Sequence, residues 1–238
     1  MTPEQLAHDT RDAIVRVTGG FMTDPACYAC GAALGFEGMD FYVAGRAGAL
    51  GDVPADVVVA TLVFFSPDAI RPAWERSAPV MPRRSAAEHF ATWAHTWAEE
   101  HLPDGVDYAR LATLLGAIVA SASVAGVPLF AAWRTLPEPS APKALTIHRM
   151  NAIRELRGGL HGAAVLTIGL TPVEAISVRT AAMLPVFGWT DEPADPKPLH
   201  ERWNLAEART DRMLGRRLAV LDDAERTELD ELLRALAP

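Results

Sequence analysis

The chain has 238 residues, of which 22 are basic and 30 are acidic, so its formal net charge is −8 at pH 7. Half of the residues are hydrophobic and 22% are charged, which excludes a disordered chain and predicts a globular protein with a large core. The acidic balance argues against non-specific binding of nucleic acid, and two cysteines exclude a scaffold held by several disulfides.

Helix-start patterns dominate the first half of the chain. Thr2-Pro3 combines a hydroxyl cap with a proline in the first turn, and this helix is predicted to end at Gly19-Gly20. A second helix is predicted to begin within 53–56 and to include an uncharged run, and Ser66 caps a third. Ser85-Ala-Ala-Glu88 has the spacing of a capping box, which predicts the start of a long helix.

The second half continues the helical pattern. Thr171-Pro172 repeats the cap and proline, and the last 30 or so residues are predicted to be helical with one break. The proline-rich stretches 136–142 and 191–198 are the predicted loops. Because no Asn-Gly or Asp-Gly hairpin separates two alternating runs, we predict a mostly α fold with at most a short two-stranded wing in each half.

Two segments bear on membrane association. The uncharged stretch 111–133 is long enough to cross a bilayer, but Pro128 interrupts its helical pattern, so we interpret it as a buried core segment. The first twelve residues are polar and lack the apolar centre of a signal peptide. We therefore expect a cytoplasmic protein without a membrane partner.

A shift of 118 residues brings similar residues into register. We interpret this as duplication of two halves, 1–119 and 120–238, that pack about a pseudo-twofold axis and mimic a homodimer within one chain. Chance similarity is the alternative, because leucine and proline are common. The sequence leaves a monomer of this kind and a homodimer both open. The corresponding residues are Gly51 and Gly169, Pro54 and Pro172, Asp56 and Glu174, Asp104 and Asp222, and Leu111, Leu114 and Leu115 with Leu229, Leu232 and Leu233.

These residues carry a resemblance to known families. Segment 169–175 resembles the start of the second helix in MarR-type winged-helix regulators, and 204–233 resembles their dimerisation and final helices. Over nearly its full length the chain is similar to the actinobacterial SalK-like helix-turn-helix family, through stretches that include 41–51 and 147–161. The resemblance implies duplicated MarR-like winged-helix halves packed as a pseudo-dimer with degenerate wings.

The chain departs from that family pattern where DNA reading is expected. Leu156, Gly159 and Trp133 stand where the pattern has His, Asp and Asn. Relatives continue after 188–192 with a recognition-like helix, whereas this chain has three prolines within 193–198. We therefore predict that duplex DNA is not a tight partner. Residues 66–77 could still form such a helix, with Arg71 and Arg76, although a solvated helix is the simpler interpretation.

Segment 148–161 is the most informative for chemistry. His148, Asn151 and Glu155 share one face of a helix, and His161 follows a predicted break at Gly158-Gly159. Such a polar stripe between apolar helices must be paired internally or line a cavity. A structural network is the first interpretation, and a pocket for an aromatic or anionic small molecule is the second. The candidate catalytic residues are His148, Glu155 and His161, and the candidate ligand-binding residues are Arg46, Trp133, Asn151, Arg154 and Arg157.

The other reactive residue types give weak patterns. Cys27 and Cys30 have neither a second zinc-ligand pair nor a thioredoxin-like context, so we interpret them as two small side chains on a helix. His89, His95 and His101 are spaced by six residues and spiral around a helix rather than converge. We predict no metal site, and the sequence identifies no cofactor.

Three classes of function remain open. The first is a small-molecule-binding protein on a duplicated MarR-like scaffold that has lost DNA binding. The second is a transcriptional regulator of the MarR-like type. The third is an enzyme that uses a His/Glu/Arg cluster for acid–base chemistry, although no recognisable nucleophile or metal set accompanies it.

Overall fold

The computed structural model describes residues 1–236, and within them all regular structure is helical. The mostly α fold is thus confirmed, and residues 1–236 contain no strand that would form a wing. The helices are α1 (Pro3–Thr23), α2 (Pro25–Ala33), α3 (Asp40–Ala47), α4 (Ala55–Thr61), α5 (Pro67–Ser77), α6 (Arg83–His101), α7 (Tyr108–Ser121), α8 (Pro128–Trp133), α9 (Pro142–Thr167), α10 (Pro172–Thr180), α11 (His200–Leu218) and α12 (Asp223–Ala235), with 3₁₀ turns at Gly48–Leu50, Ala181–Met183 and Lys197–Leu199.

Side-chain caps explain where several helices begin. The hydroxyls of Thr2 and Ser66 accept backbone N–H groups at the starts of α1 and α5, and Thr171 forms a reciprocal capping box with Glu174 at α10. The predicted capping box at Ser85 is wrong. Pro82 holds an extended backbone conformation and α6 begins directly after it, so Ser85 lies inside the first turn.

Two glycine pairs that were predicted to end or break helices lie inside them. Helix α1 passes through Gly20, where an added Cβ would come within 2.7 Å of the Trp97 ring. Helix α9 likewise continues through 158–159 without a break, and an added Cβ at Gly159 would meet Val127 at 2.9 Å. In both helices glycine allows a close approach of a neighbouring side chain and does not interrupt the helix.

Helix α9 lies at the centre of the packing. It contacts α1, α6, α7, α8 and α11, and sixteen of its residues are buried. The main hydrophobic core includes residues of both predicted halves, from Leu6 to Leu236. The uncharged stretch 111–133 is divided between α7 and α8. Within residues 1–236 no single helix has both the length and the apolar character needed to cross a bilayer, although the bent pair Pro142–Thr167 and Pro172–Met183 passes that test together.

Helix positions recur along the chain with nearly the offset found in the sequence. Helices α4, α6 and α7 begin at residues 55, 83 and 108, and α10, α11 and α12 begin at residues 172, 200 and 223. The aspartate that caps α7 is Asp107, three residues from the Asp104 that the sequence pairs with Asp222, the cap of α12. The stretch 184–199, which the same offset aligns with α5, consists of turns and a proline-rich loop that ends in a 3₁₀ turn.

Two long helices pack against helices of the other predicted half of the chain. Helix α1, at the start of the first predicted half, packs against α11 and α12 at the end of the second. Helix α9, near the start of the second half, packs against α6 and α7 at the end of the first. The N-terminal helix α1 therefore packs against the two C-terminal helices.

Candidate functional site

Three neighbouring cavities lie where α1, α9, α10 and α11 meet. We name them the central cavity (about 350 Å³, beside Arg46 and Glu155), the apolar cavity (about 300 Å³, beside Met183) and the polar cavity (about 440 Å³, beside Asp211). Val15 and Arg179 line all three. The cavities thus form one candidate site rather than three unrelated ones.

Aromatic side chains form the wall that the central and apolar cavities share. Phe65 lies between Tyr42 and Phe187, with ring centroids 5.7 and 4.6 Å away. Phe64 lies on the same wall and packs 5.5 Å from the His161 ring. An apolar molecule would find flat contact surface here.

A buried ion pair closes one side of the central cavity. The Arg46 guanidinium donates to both carboxylate oxygens of Glu155 at 3.0 and 2.8 Å, and also to the Tyr42 hydroxyl at 2.6 Å. Arg154 donates to the same carboxylate at 3.0 Å. Burial acts to raise the pKa of Glu155, but Arg46 and Arg154 outweigh burial and hold that pKa below its usual value.

A second group of polar side chains joins α9 to α11. Arg157 donates to Glu207 at 2.6 Å, and its buried Nε has no partner. His161 Nδ1 lies 3.0 Å from the Thr210 hydroxyl, which itself donates to the Ala206 carbonyl, so this network assigns the ring proton to Nδ1. Burial lowers the pKa of His161 to about 4, and the ring is therefore neutral at pH 7.

Arg179 on α10 differs from the other arginines of the site. Within residues 1–236 it makes no hydrogen bond and no ion pair, although it lines every one of the three cavities. Its side chain is exposed to solvent. The protein atoms around it, and then the charge of Arg157, lower the pKa of its guanidinium, which stays protonated.

A helix-turn-helix arrangement adjoins the aromatic wall. Helices α4 and α5 pack on each other and are joined by residues 62–66, which include Phe64 and Phe65. In such a unit the second helix enters the major groove of DNA.

Comparison with known proteins agrees with this arrangement. Residues 7–202 match the model of a family described as a helix-turn-helix family. The chain belongs to this helix-turn-helix family. No curated protein and no solved structure matches the chain significantly.

The α5 helix of this helix-turn-helix protein has an unusual exposed face. Arg71 pairs with Asp56 at 2.7 Å, and Arg76 makes two hydrogen bonds to buried Asp40 at 2.6 and 3.0 Å. Asp68, Glu75 and Pro72 complete the exposed surface, and Pro72 removes a backbone donor inside the helix.

The second half of the chain covers the N-terminus of α5. The Ser66 backbone N–H donates to the Phe187 carbonyl at 2.8 Å, and the Trp189 indole donates to the Phe64 carbonyl at 2.8 Å. Gly188 has a positive φ of 78°, and an added Cβ there would lie 2.3 Å from Ala69. Residues 187–189 therefore cover the N-terminus of α5, the second helix of this unit.

The predicted site residues separate into two groups. Arg46, Arg154, Glu155, Arg157 and His161 line the cavities. In contrast, His148, Asn151 and Trp133 do not line them and lie in the packed core.

His148 and Trp133 make hydrogen-bond contacts within the core. His148 Nδ1 lies 3.1 Å from His95 Nε2, and the Trp133 indole donates to the Arg46 carbonyl at 2.9 Å. Neither side-chain polar atom of Asn151 has a partner. His148 and His161 are thirteen residues apart, which is about 20 Å along a helix, so they cannot act on the same atoms.

Arg179, Phe64 and Trp203 are site residues that the sequence did not indicate. Between residues 163 and 187 the charged residues are Glu174 and Arg179, and Glu174 is used in the α10 capping box. Arg179 could have been singled out from the sequence, because it is the one charged residue of this apolar stretch that no capping pattern explains. The aromatic residues carried no such signal, because core packing explains them equally well.

The remaining reactive side chains form no site. Cys27 is buried and Cys30 half-buried on α2, both as free thiols, and burial raises the pKa of Cys27 to about 12. His101 stacks on Trp97, while His95 meets His148. Among residues 1–236 no cluster of three His, Cys, Asp or Glu side chains has the geometry to hold a metal ion.

Proposed function

We propose that this chain is a small-molecule-binding protein, built on a helix-turn-helix scaffold that no longer reads duplex DNA. The observation that carries the proposal is the group of three cavities around an arginine without a partner. Binding sites combine apolar walls with a few well-placed polar groups. Here the walls are Phe64, Phe65 and Phe187, and Arg179 is an available charged donor.

The state of α5 supports the loss of DNA reading. Its two arginines are engaged by Asp56 and Asp40, so they are not free to contact phosphates. Its N-terminus is covered by residues 187–189, and its exposed face carries two carboxylates. A net charge of −8 adds repulsion from the DNA backbone.

Recurring helix positions support the finer proposal of a MarR-like pseudo-dimer. Helices α4, α6 and α7 correspond in order to α10, α11 and α12, and α1 and α9 each pack against the closing helices of the other half. In this scheme the cavities lie between the halves. The second half then lacks the helix that corresponds to α5, as the prolines within 193–198 predict.

Small-molecule binding is tested by thermal unfolding of the purified protein against a chemically diverse panel of organic acids, bases and neutral molecules. We expect organic anions to raise the unfolding temperature, since a ligand that binds the folded state stabilises it. Native mass spectrometry of the same sample gives a second readout, as a bound mass that is released on denaturation. A panel without a single stabilising compound would contradict the proposal.

A transcriptional regulator is the second candidate, because the helix-turn-helix family match and the packing of α4 on α5 favour it. Fluorescence anisotropy with labelled random-sequence duplexes, and with DNA from upstream of its own gene, separates the two. We expect no binding at 150 mM salt. Binding that is sequence-selective and weakens with the logarithm of salt concentration would establish the regulator instead.

The enzyme hypothesis has less support. The two candidate histidines lie about 20 Å apart along α9, and the side chain of Glu155 is fully engaged by Arg46 and Arg154. A single acid–base centre built from all three does not fit this geometry.

A further inference from the structure

The charged side chains that line the three cavities are not balanced. Apart from the histidines, five are arginines and four are carboxylates; His161 is neutral at pH 7, and His8 contacts Asp211. The site therefore has one more positive than negative group, in a chain whose overall charge is strongly negative. The groups are Arg11, Arg46, Arg154, Arg157 and Arg179, with Asp12, Glu155, Glu207 and Asp211.

Arg179 differs from the other four arginines of the cavities because it makes no ion pair within residues 1–236. Arg46 and Arg154 share Glu155, and Arg157 and Arg11 share Glu207. Within residues 1–236 no carboxylate lies within ion-pair distance of Arg179, and the charges of Glu207 and Asp12 act on it only from further away. A guanidinium offers a planar set of donors that matches a carboxylate, so Arg179 is equipped to hold one.

The apolar cavity begins at this arginine and is nearly free of charge. Its lining contains two charged groups, Arg154 and Arg179, and no carboxylate. Three methionines and an isoleucine line it beyond the aromatic wall: Met22, Met39, Met183 and Ile176. Methionine side chains are unbranched and adaptable, and they adjust to flexible apolar groups better than rigid walls do.

We infer that the cavities bind an amphipathic monoanion, an aliphatic carboxylic acid whose carboxylate lies on Arg179 and whose alkyl tail fills the apolar cavity. This inference rests on the proposed small-molecule function and names the class of ligand. One surplus positive charge favours a singly charged head over a doubly charged phosphate monoester. Arg157, which pairs with Glu207, also lines the polar cavity and adds a second guanidinium on that side of the site.

Isothermal titration with four ten-carbon probes, below their micelle concentrations, tests the head group. We expect decanoate to bind, decanol to bind roughly tenfold more weakly or worse, decyl phosphate to bind more weakly than decanoate, and decylamine not to bind. Equal affinities for decanoate and decanol would overturn the assignment of the carboxylate to Arg179. Tighter binding of decyl phosphate would overturn the monoanion.

Variants test the two ends of the site. Arg179→Gln removes the charge from an exposed side chain that makes no hydrogen bond or ion pair within residues 1–236, so the fold should persist while decanoate affinity falls roughly tenfold or more. Arg209→Gln is the matched control, an exposed arginine on α11 that does not line the cavities, and should bind decanoate normally. Met183→Asp places a charge in the tail region and should abolish binding. Unchanged decanoate affinity in Arg179→Gln contradicts the inference.

A rigid aromatic acid separates this inference from the proposed function. If 1-naphthoate binds and decanoate does not, the small-molecule function stands and the aliphatic tail is wrong. If neither these acids nor any compound of the diverse panel binds, both the inference and the proposed function are wrong. Binding of decanoate that is lost in Met183→Asp supports both.

Discussion

Asn151 is a buried polar residue whose side-chain amide makes no hydrogen bond. It is almost fully buried on α9, and neither its side-chain oxygen nor its nitrogen has a hydrogen-bond partner. A buried polar group in this state costs free energy. Its place outside the cavities makes it a feature of the core rather than of the ligand site.

We expect Asn151→Leu to raise the free energy of unfolding by about 1 kcal/mol, because it replaces an unsatisfied amide with an apolar group of similar size. Thr146→Val on the same helix is the matched control. The Thr146 hydroxyl donates to the Tyr108 carbonyl, so its loss should lower stability by about 1 kcal/mol. Urea denaturation measures both. A strongly destabilised Asn151→Leu would mean that the amide has a role which these contacts do not explain.

Glu155 pairs with two guanidinium groups in the protein interior, those of Arg46 and Arg154. We expect Glu155→Gln to lower the free energy of unfolding by roughly 3–5 kcal/mol, the range for breaking a buried ion pair. Glu228→Gln breaks the solvent-exposed pair with Arg110 and should lower the free energy of unfolding far less. Similar losses in the two variants, measured by urea denaturation, would contradict the assigned difference.

Sequence patterns predicted part of the site, and the reason lies in distance along the chain. His148, Asn151 and Glu155 lie on one buried helix face, as their spacing indicates. The carboxylate partner of Arg46, however, is 109 residues away, and no local pattern links them. Trp133 was expected on a ligand wall, but a buried tryptophan that packs in a core has the same sequence signature.

At the scale of elements, helices with a side-chain cap were predictable and others were not. Thr2, Ser66 and Thr171 mark their helices because a cap acts within four residues. The sequence predicted that α6 begins at Ser85, but the helix begins at Arg83, directly after Pro82 and without a side-chain cap. Gly20 was wrongly predicted to end α1. Its actual role is to make room for the ring of Trp97, which is distant in sequence.

Two glycines inside helices should respond in opposite ways to replacement by alanine, because one has open space beside it and the other faces an aromatic ring. Gly158 lies on the exposed side of α9 with no atom near an added Cβ, so Gly158→Ala should stabilise the protein by about 0.5–1 kcal/mol through helix propensity. Gly45 on α3 faces Phe90, with an added Cβ at 2.5 Å from the ring. Gly45→Ala should therefore destabilise by roughly 1–3 kcal/mol. Thermal unfolding of the pair checks the opposite signs.

For the whole molecule, buried neutral histidines predict a loss of stability in mild acid. Burial lowers the pKa of both His148 and His161 to about 4, whereas an unfolded histidine titrates near 6.5. Below about pH 6.5 the unfolded chain binds protons that the folded chain excludes, so unfolding becomes easier as pH falls. Each histidine should remove about 2 kcal/mol between pH 7.5 and pH 5.

Urea midpoints between pH 7.5 and pH 5 measure this slope. The groups around the two rings are Glu138, Arg149 and His95 for His148, and Glu207, Arg157 and Arg179 for His161. His148→Gln and His161→Gln should each flatten the slope in that window, even if they lower stability at neutral pH. A slope that the two substitutions leave unchanged would assign the acid sensitivity to other groups.

The packing of α1 on α11 and α12 has a consequence for biosynthesis. About 180 residues of chain separate the end of α1 from the start of α11, and translation proceeds at roughly 5–20 residues per second. The surface of α1 that packs against α11 and α12 must therefore stay uncovered by them for on the order of ten seconds or more. The native packing of α1 can therefore be completed only after nearly the whole chain has been made.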